Sequence, residues 1–209
     1  MELKKINPNL QRALTESGLT EANELQQAAF SILKSGADCC LLAPHGSGKT
    51  TTLAMGVIQR LEKPIGESTR ALILVNTKEE VLALVELLKQ LSEYTGLRIL
   101  GTHDKGDIDY DKNQISLGLD ILVGTPTRVN AVFSSAGFNI NTVKVFAVDD
   151  ADEMFRNRHE TIVSRLLTSL ERTQRIFAMA EDTEKVWIMT DKEMVEPHWI
   201  SLYDDEEEE

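Results

Sequence analysis

Seven short runs of nearly unbroken apolar residues recur along the chain, all but the last followed by a longer segment with helical periodicity. They fall at 39–44 (CCLLAP), 71–76 (ALILVN), 97–102 (LRILGT), 120–125 (DILVGT), 143–150 (VKVFAVDD), 175–180 (RIFAMA) and 198–203 (HWISLY). Apolar and polar residues do not alternate within them, so they read as strands covered by helices on both faces, as in parallel sheets. Between the runs, Leu53, Val57, Ile58 and Leu61, and then Val81, Leu82, Val85 and Leu88, lie at helical spacing. The expected fold class is α/β: three layers around a mostly parallel central sheet. Ahead of the first strand, 7–17 and 21–34 read as two helices parted by Gly18, with Thr20 at the expected N-cap and Asn23 and Glu24 in the first turn. The sheet is thus preceded by a helical extension.

Composition narrows the partners. The 209 residues, 42% hydrophobic and 27% charged, are enough to bury one full core. The net charge of -12 comes from 22 Lys and Arg against 34 Asp and Glu, and six of those acids form the run Asp204 to Glu209. Bulk attraction to nucleic acid is therefore excluded, and any polyanion site must be local. The acidic run, 204–209, is expected to be a solvated, disordered tail. Cys39 and Cys40 are adjacent, so they cannot staple distant segments and have no metal-type spacing; a reducing, cytoplasmic setting is expected. No run approaches the ~18 apolar residues of a membrane span, so no membrane association is expected.

The strongest local pattern is Ala43-Pro44-His45-Gly46-Ser47-Gly48-Lys49-Thr50, followed by Thr51, between the first strand and a helix. Glycines there let successive backbone N–H groups turn inward around phosphate oxygens, and the helix N-terminus adds its positive end. Lys49 would reach the β- and γ-phosphates, and the Thr50 hydroxyl would ligate Mg²⁺. Such a loop needs a carboxylate at the end of another strand. Val145 to Val148 lead straight into Asp149 and Asp150, with Asp149 the magnesium-side acid and Asp150 where a water-activating carboxylate is needed.

Here a resemblance becomes specific. Val148-Asp149-Asp150-Ala151-Asp152-Glu153-Met154 resembles the signature of DEAD-box RNA helicases, with Asp150 where the family has Glu. Gln26 precedes Lys49 at the family's offset for the adenine-reading Gln, within a stretch from Gly18 to Gln26 that resembles the Q motif. Thr125-Pro126-Thr127-Arg128 resembles the TPGR segment, Asn76-Thr77-Lys78-Glu79 resembles PTRE, and Gly101 sits near the family's Gly-Gly position. The resemblance spans 1–203 and implies a RecA-like phosphate-loop domain, with a Q-motif region at 1–35 and a nucleotide-binding core at 36–203. It further implies binding of Mg-ATP or ADP, hydrolysis of ATP, and RNA backbone contacts at Thr77, Lys78, Gly101, Thr125, Pro126 and Arg128. A second RecA-like domain, or a protein partner in trans, would complete the cleft.

Departures from the family pattern lower the expected activity. Asp150 retracts the carboxylate by one methylene, on the order of 1.5 Å, and a misplacement of that size can cost about a hundredfold in rate. Ala178-Met179-Ala180 stands where the family has Ser-Ala-Thr, and the upstream adenine-stacking aromatic falls at Met1. Hydrolysis by this chain alone is expected to be weak or absent, and RNA binding weak and salt-sensitive. The alternative expectation is a non-catalytic nucleotide-binding regulator derived from a helicase.

Overall fold

The computed structural model describes residues 3–135 and 139–203. All seven apolar runs form strands: β1 Cys39–Leu42, β2 Ala71–Leu74, β3 Ile99–Thr102, β4 Ile121–Gly124, β5 Val145–Val148, β6 Gln174–Met179 and β7 His198–Ser201. They build one sheet in the order β3-β4-β2-β5-β6-β1-β7, and every neighbouring pair is parallel. The sheet is therefore wholly parallel. All its strands end at one rim, where the phosphate loop and both aspartates also lie.

Helices α1 Pro8–Glu16, α2 Glu24–Ser35, α3 Lys49–Leu61 and α4 Lys78–Leu91 cover one face, packing on Cys39, Leu41, Ala71, Ile73, Val145 and Ala147. The opposite face, with Cys40, Leu72, Phe146, Val148 and Phe177, takes α5 Ile108–Ser116, α6 Pro126–Ser134, α7 Ala151–Arg156, α8 Glu160–Thr168 and α9 Glu184–Glu193. Both faces of the central strands are dry, which is why their runs do not alternate, while the edge strands β3 and β7 keep partly exposed residues. Each large side chain fully buried here contributes about 1.5–3 kcal/mol. Cys39 and Cys40 are part of this packing, and burial pushes the Cys39 thiol up to about 12.

Two local expectations need correction. Thr20 does not cap α2; Asn23 does, its side chain accepting from Gln26 N–H while the Gln26 side chain accepts from Asn23 N–H. This reciprocal capping box satisfies two backbone donors at once, which a Thr three residues earlier cannot do. Leu82 is not part of the core: it is 51% exposed, while Val81, Leu84, Val85 and Leu88 form the buried stripe of α4. The acidic run 204–209 and Met1 lie outside the described residues.

The opposite rim of the sheet is held by charge. Asp120, fully buried just before β4, accepts from Arg70 at 2.9 Å and Arg98 at 2.8 Å, and Arg70 also donates to Leu61 O at the end of α3. Asp38, before β1, accepts from Arg175 N–H at the start of β6 and from Val195 N–H ahead of β7. Among the described residues no helix is long and apolar enough to cross a membrane.

Candidate functional site

The loop after β1 stays in register for one more residue, Ala43 N–H donating to Met179 O at 3.1 Å. It then turns through Gly46 (φ 80°) and Gly48 (φ 88°), both in the left-handed region that favours glycine. A Cβ at Gly46 would meet nothing within 4 Å, so the loop is open on that side. Helix α3 starts at Lys49 with no side-chain cap, which leaves its first N–H groups facing the loop. The Lys49 ammonium is buried and donates to Ala43 O at 2.7 Å and Pro44 O at 3.0 Å. His45 is exposed at the tip.

Across from the loop, the Thr50 hydroxyl donates to Asp149 Oδ2 at 2.6 Å. The other carboxylate oxygen, Oδ1, is buried without a hydrogen-bond partner, and so is Ser47 Oγ. Burial pushes the Asp149 carboxyl up to about 6, against the lowering effects of the Thr50 bond and of Lys49. Asp150 follows with a left-handed backbone (φ 48°, ψ 55°), a conformation that Asp tolerates better than most residues, and makes no capping bond to α7. Burial also raises its carboxyl; nearby Lys49 and His45 lower it, and Asp152 and Glu80 raise it. A buried oxygen without a partner is costly unless something fills its lone pairs. Asp149 Oδ1 with the Thr50 hydroxyl is an oxygen donor set suited to Mg²⁺, which takes one or two protein ligands and completes its shell with water and phosphate. No group of three or more His, Cys, Asp or Glu able to hold a metal occurs among the described residues.

Gln26 is buried at the start of α2, with its amide nitrogen 3.8 Å from where a Gly48 Cβ would stand. Asn23 joins this helix to the loop, because its side-chain nitrogen donates to Ser47 O at 2.9 Å. Sequence reasoning put Asn23 in the first turn and missed this role. The signal was present: Asn followed three residues later by Gln is the capping-box pattern.

The residues that the resemblance assigned to RNA form two further groups along the same rim. Thr77 caps α4 in a box with Glu80, and Lys78 is the first residue of that helix. Thr125 and Pro126 open α6, and the Thr125 hydroxyl donates to Asp104 Oδ2 at 3.0 Å. Arg128 is buried, donates to His103 O at 2.9 Å and to Gly106 O, and lies 3.5 Å from Asp111. Its guanidinium therefore braces the segment between β3 and α5. Gly101 faces α4: a Cβ there would stand 2.8 Å from Val81 and 2.9 Å from Val85, so the glycine is required by packing. Asp152, not singled out beforehand, accepts from Glu181 N–H and ties α7 to the segment after β6. Asp104 carried no sequence signal, and Asp152, although inside the quoted signature, gave no hint of this bond, because each partner is distant in the chain.

A wholly parallel three-layer sheet, with a glycine loop between β1 and α3 and an acid pair after β5, defines a RecA-like phosphate-loop domain. A family model described as DEAD/DEAH box helicase matches residues 23–183. The chain belongs to that family. It is 30% identical over 206 residues to the ATP-dependent RNA helicase eIF4A of Meyerozyma guilliermondii, covering 96% of this chain and 51% of that protein. It is 31% identical, with the same coverage, to the protein of that name from Debaryomyces hansenii. Against the ATP-dependent RNA helicase dhh1 of Aspergillus clavatus it is 25% identical, covering 96% of this chain and 40% of that one. The chain thus spans about half the length of the eIF4A relatives it matches. A crystal structure of a DEAD box protein from Methanococcus jannaschii superimposes with a TM-score of 0.90 at 22% identity, over 96% of this chain and 55% of that one, and shares its fold.

Proposed function

We propose that this domain binds Mg-ATP and Mg-ADP in the loop 43–51, reads adenine through Gln26, and holds RNA weakly along the neighbouring rim. The observation that carries the reading is the buried, partnerless Asp149 Oδ1 beside the Thr50 hydroxyl, at the mouth of a loop built on left-handed glycines. Lys49 leaves the Ala43 and Pro44 carbonyls to meet the β- and γ-phosphates, and the uncapped N–H groups of α3 receive phosphate oxygens. When bound, Mg²⁺ neutralises charge on the phosphate oxygens. Asp150 accepts a proton from the attacking water, from a carboxylate one methylene shorter than that of Glu.

Turnover by these 209 residues alone is slow in this reading. A transition-state arginine supplied from outside a phosphate-loop domain is worth about 10³ to 10⁵ in rate. A second RecA-like domain, joined in a longer chain or acting in trans, is the partner that would supply it. The buried reduced thiols Cys39 and Cys40 fit a cytoplasmic setting, which we propose as well.

Titration with a fluorescent ATP analogue and Mg²⁺, comparing wild type with Lys49→Ala, tests the nucleotide site. Saturable wild-type binding, weakened at least tenfold in the variant, is expected; equal affinities would remove the proposal. Nucleotide binding with no RNA-stimulated hydrolysis, even after addition of a second domain, would favour the non-catalytic regulator. That alternative draws support from Ala178-Met179-Ala180, which offers no hydroxyl where β6 meets the loop.

A further inference from the structure

We propose that Asp104 sets how tightly this rim takes the sugar-phosphate backbone of single-stranded RNA, because its carboxylate occupies the Thr125 hydroxyl that a phosphate would otherwise use. This rests on the RNA reading proposed above. A threonine hydroxyl has one proton to donate. In this chain it goes to Asp104 Oδ2 at 3.0 Å, twenty-one residues earlier in sequence. A phosphate oxygen can take that proton only by displacing the carboxylate, and while Asp104 stays in place its charge repels the phosphate.

The neighbouring groups single out Asp104 as the exchangeable one. Arg128, the other donor at this lip, is buried and held by His103 O, Gly106 O and the Asp111 carboxylate, so releasing it means unpacking the segment from 103 to 111. Asp111 is itself buried and accepts from the Thr102 hydroxyl at 2.5 Å. The Asp107 side chain accepts from Asp109 and Tyr110 N–H and caps α5. Asp104 is different. It is exposed, and the Thr125 hydroxyl is its one hydrogen-bond partner among the described residues, so moving it disturbs no core packing. Because Asp104 is exposed, water competes for its carboxylate, and a phosphate that gains other contacts on the rim can replace it.

The test measures binding of fluorescently labelled oligo(U) RNA to the full chain by anisotropy over a range of salt, for wild type, Asp104→Asn and Asp104→Ala. The Asn variant removes the charge and keeps an acceptor for Thr125; the Ala variant also frees the hydroxyl. Both are expected to bind about tenfold more tightly at low salt. For the Ala variant, part of the gain should persist at high salt, because a neutral hydroxyl contacts a phosphate without displacing counterions. Adding Thr125→Val to Asp104→Ala should remove the hydroxyl-dependent part of the gain. Melting temperatures within about 2 °C of wild type would show that the fold is intact. If wild type binds RNA and neither variant binds more tightly, the proposal is overturned and the RNA reading stands. If only the variants bind, both are supported. If none of the three binds at any salt, the RNA reading is lost and the proposal with it.

Discussion

Thr50 donates its hydroxyl proton to Asp149 across 2.6 Å, joining the start of α3 to the end of β5 between residues ninety-nine positions apart. This contact closes the phosphate loop against the acid pair, and it holds one oxygen of Asp149 while the other stays buried and unsatisfied. The hydroxyl thereby fixes the position of the carboxylate at the loop. Burial pushes that carboxylate toward its neutral, protonated form.

The pH dependence follows from that carboxyl, raised from 3.8 to about 6. Mg²⁺ needs the ionised form, so the part of nucleotide affinity that depends on Mg²⁺ should rise as pH passes from 5 to 7, while affinity measured in EDTA stays nearly flat. Asp149→Asn should abolish the difference. Stability has the opposite sign. Between these two values the folded state binds more protons than the unfolded one, so this group's contribution falls as pH rises through the window. Isothermal titration at three pH values, with and without Mg²⁺, checks the first expectation; a flat Mg²⁺ contribution would refute it.

Asn23 has two separable jobs. Asn23→Ala should lose the α2 cap, costing about 1 kcal/mol, and the bond to Ser47 O as well. Asn23→Ser keeps a capping oxygen but cannot extend a nitrogen to the loop. It is expected to melt close to wild type while binding nucleotide several-fold more weakly. Thermal melts and nucleotide titrations of both variants distinguish the roles, and unaltered affinity in the Ser variant would show that the loop holds itself.

Gly101→Ala should destabilise the domain by about 1–3 kcal/mol, because its methyl would press on Val81 and Val85 of α4. Nucleotide affinity should not change. Loss of RNA binding without loss of stability would instead assign Gly101 to the RNA face and contradict the packing explanation.

The strands and the loop were readable because each depends on local pattern: a parallel sheet dry on both faces demands unbroken apolar runs, and a phosphate loop demands glycine where φ is positive. The nearness of Thr50 and Asp149 was legible too, because a loop after one parallel strand and an acid at the end of another share a rim, and the two meet at 2.6 Å. The capture of Thr125 by Asp104, and of Arg128 by two carbonyls, was not readable. Those contacts depend on the path of an irregular segment between β3 and α5, and nothing in the spacing of His103, Asp104 and Gly106 encodes it. Gly101 shows what a motif does not carry: the close approach of Val81 and Val85 of α4, which leaves no room for a Cβ, depends on how a helix packs against this strand.

Asp120→Asn should be the most damaging single change at the far rim. It leaves the guanidinium of Arg70 buried without its carboxylate, and removing one partner of a buried pair costs about 3 kcal/mol or more. Burial alone would push the Asp120 carboxyl up, but Arg98 and Arg70 outweigh it and hold it below its ordinary value. The stabilisation is therefore complete above that ordinary value and is lost as pH falls through the lowered one. Acid titration followed by circular dichroism should show wild type unfolding over that range, and a variant already weakened at neutral pH.

The order of strands also constrains how the chain can be made. β1, which ends in the phosphate loop, touches no strand formed before β6; its two neighbours are β6 and β7. Asp38, just ahead of β1, waits for Val195, 157 residues later, to complete its bonds. A nascent chain leaving the ribosome therefore carries this loop with no strand beside β1 until β6 has been made. A chaperone that recognises exposed apolar strands would meet CCLL in that interval.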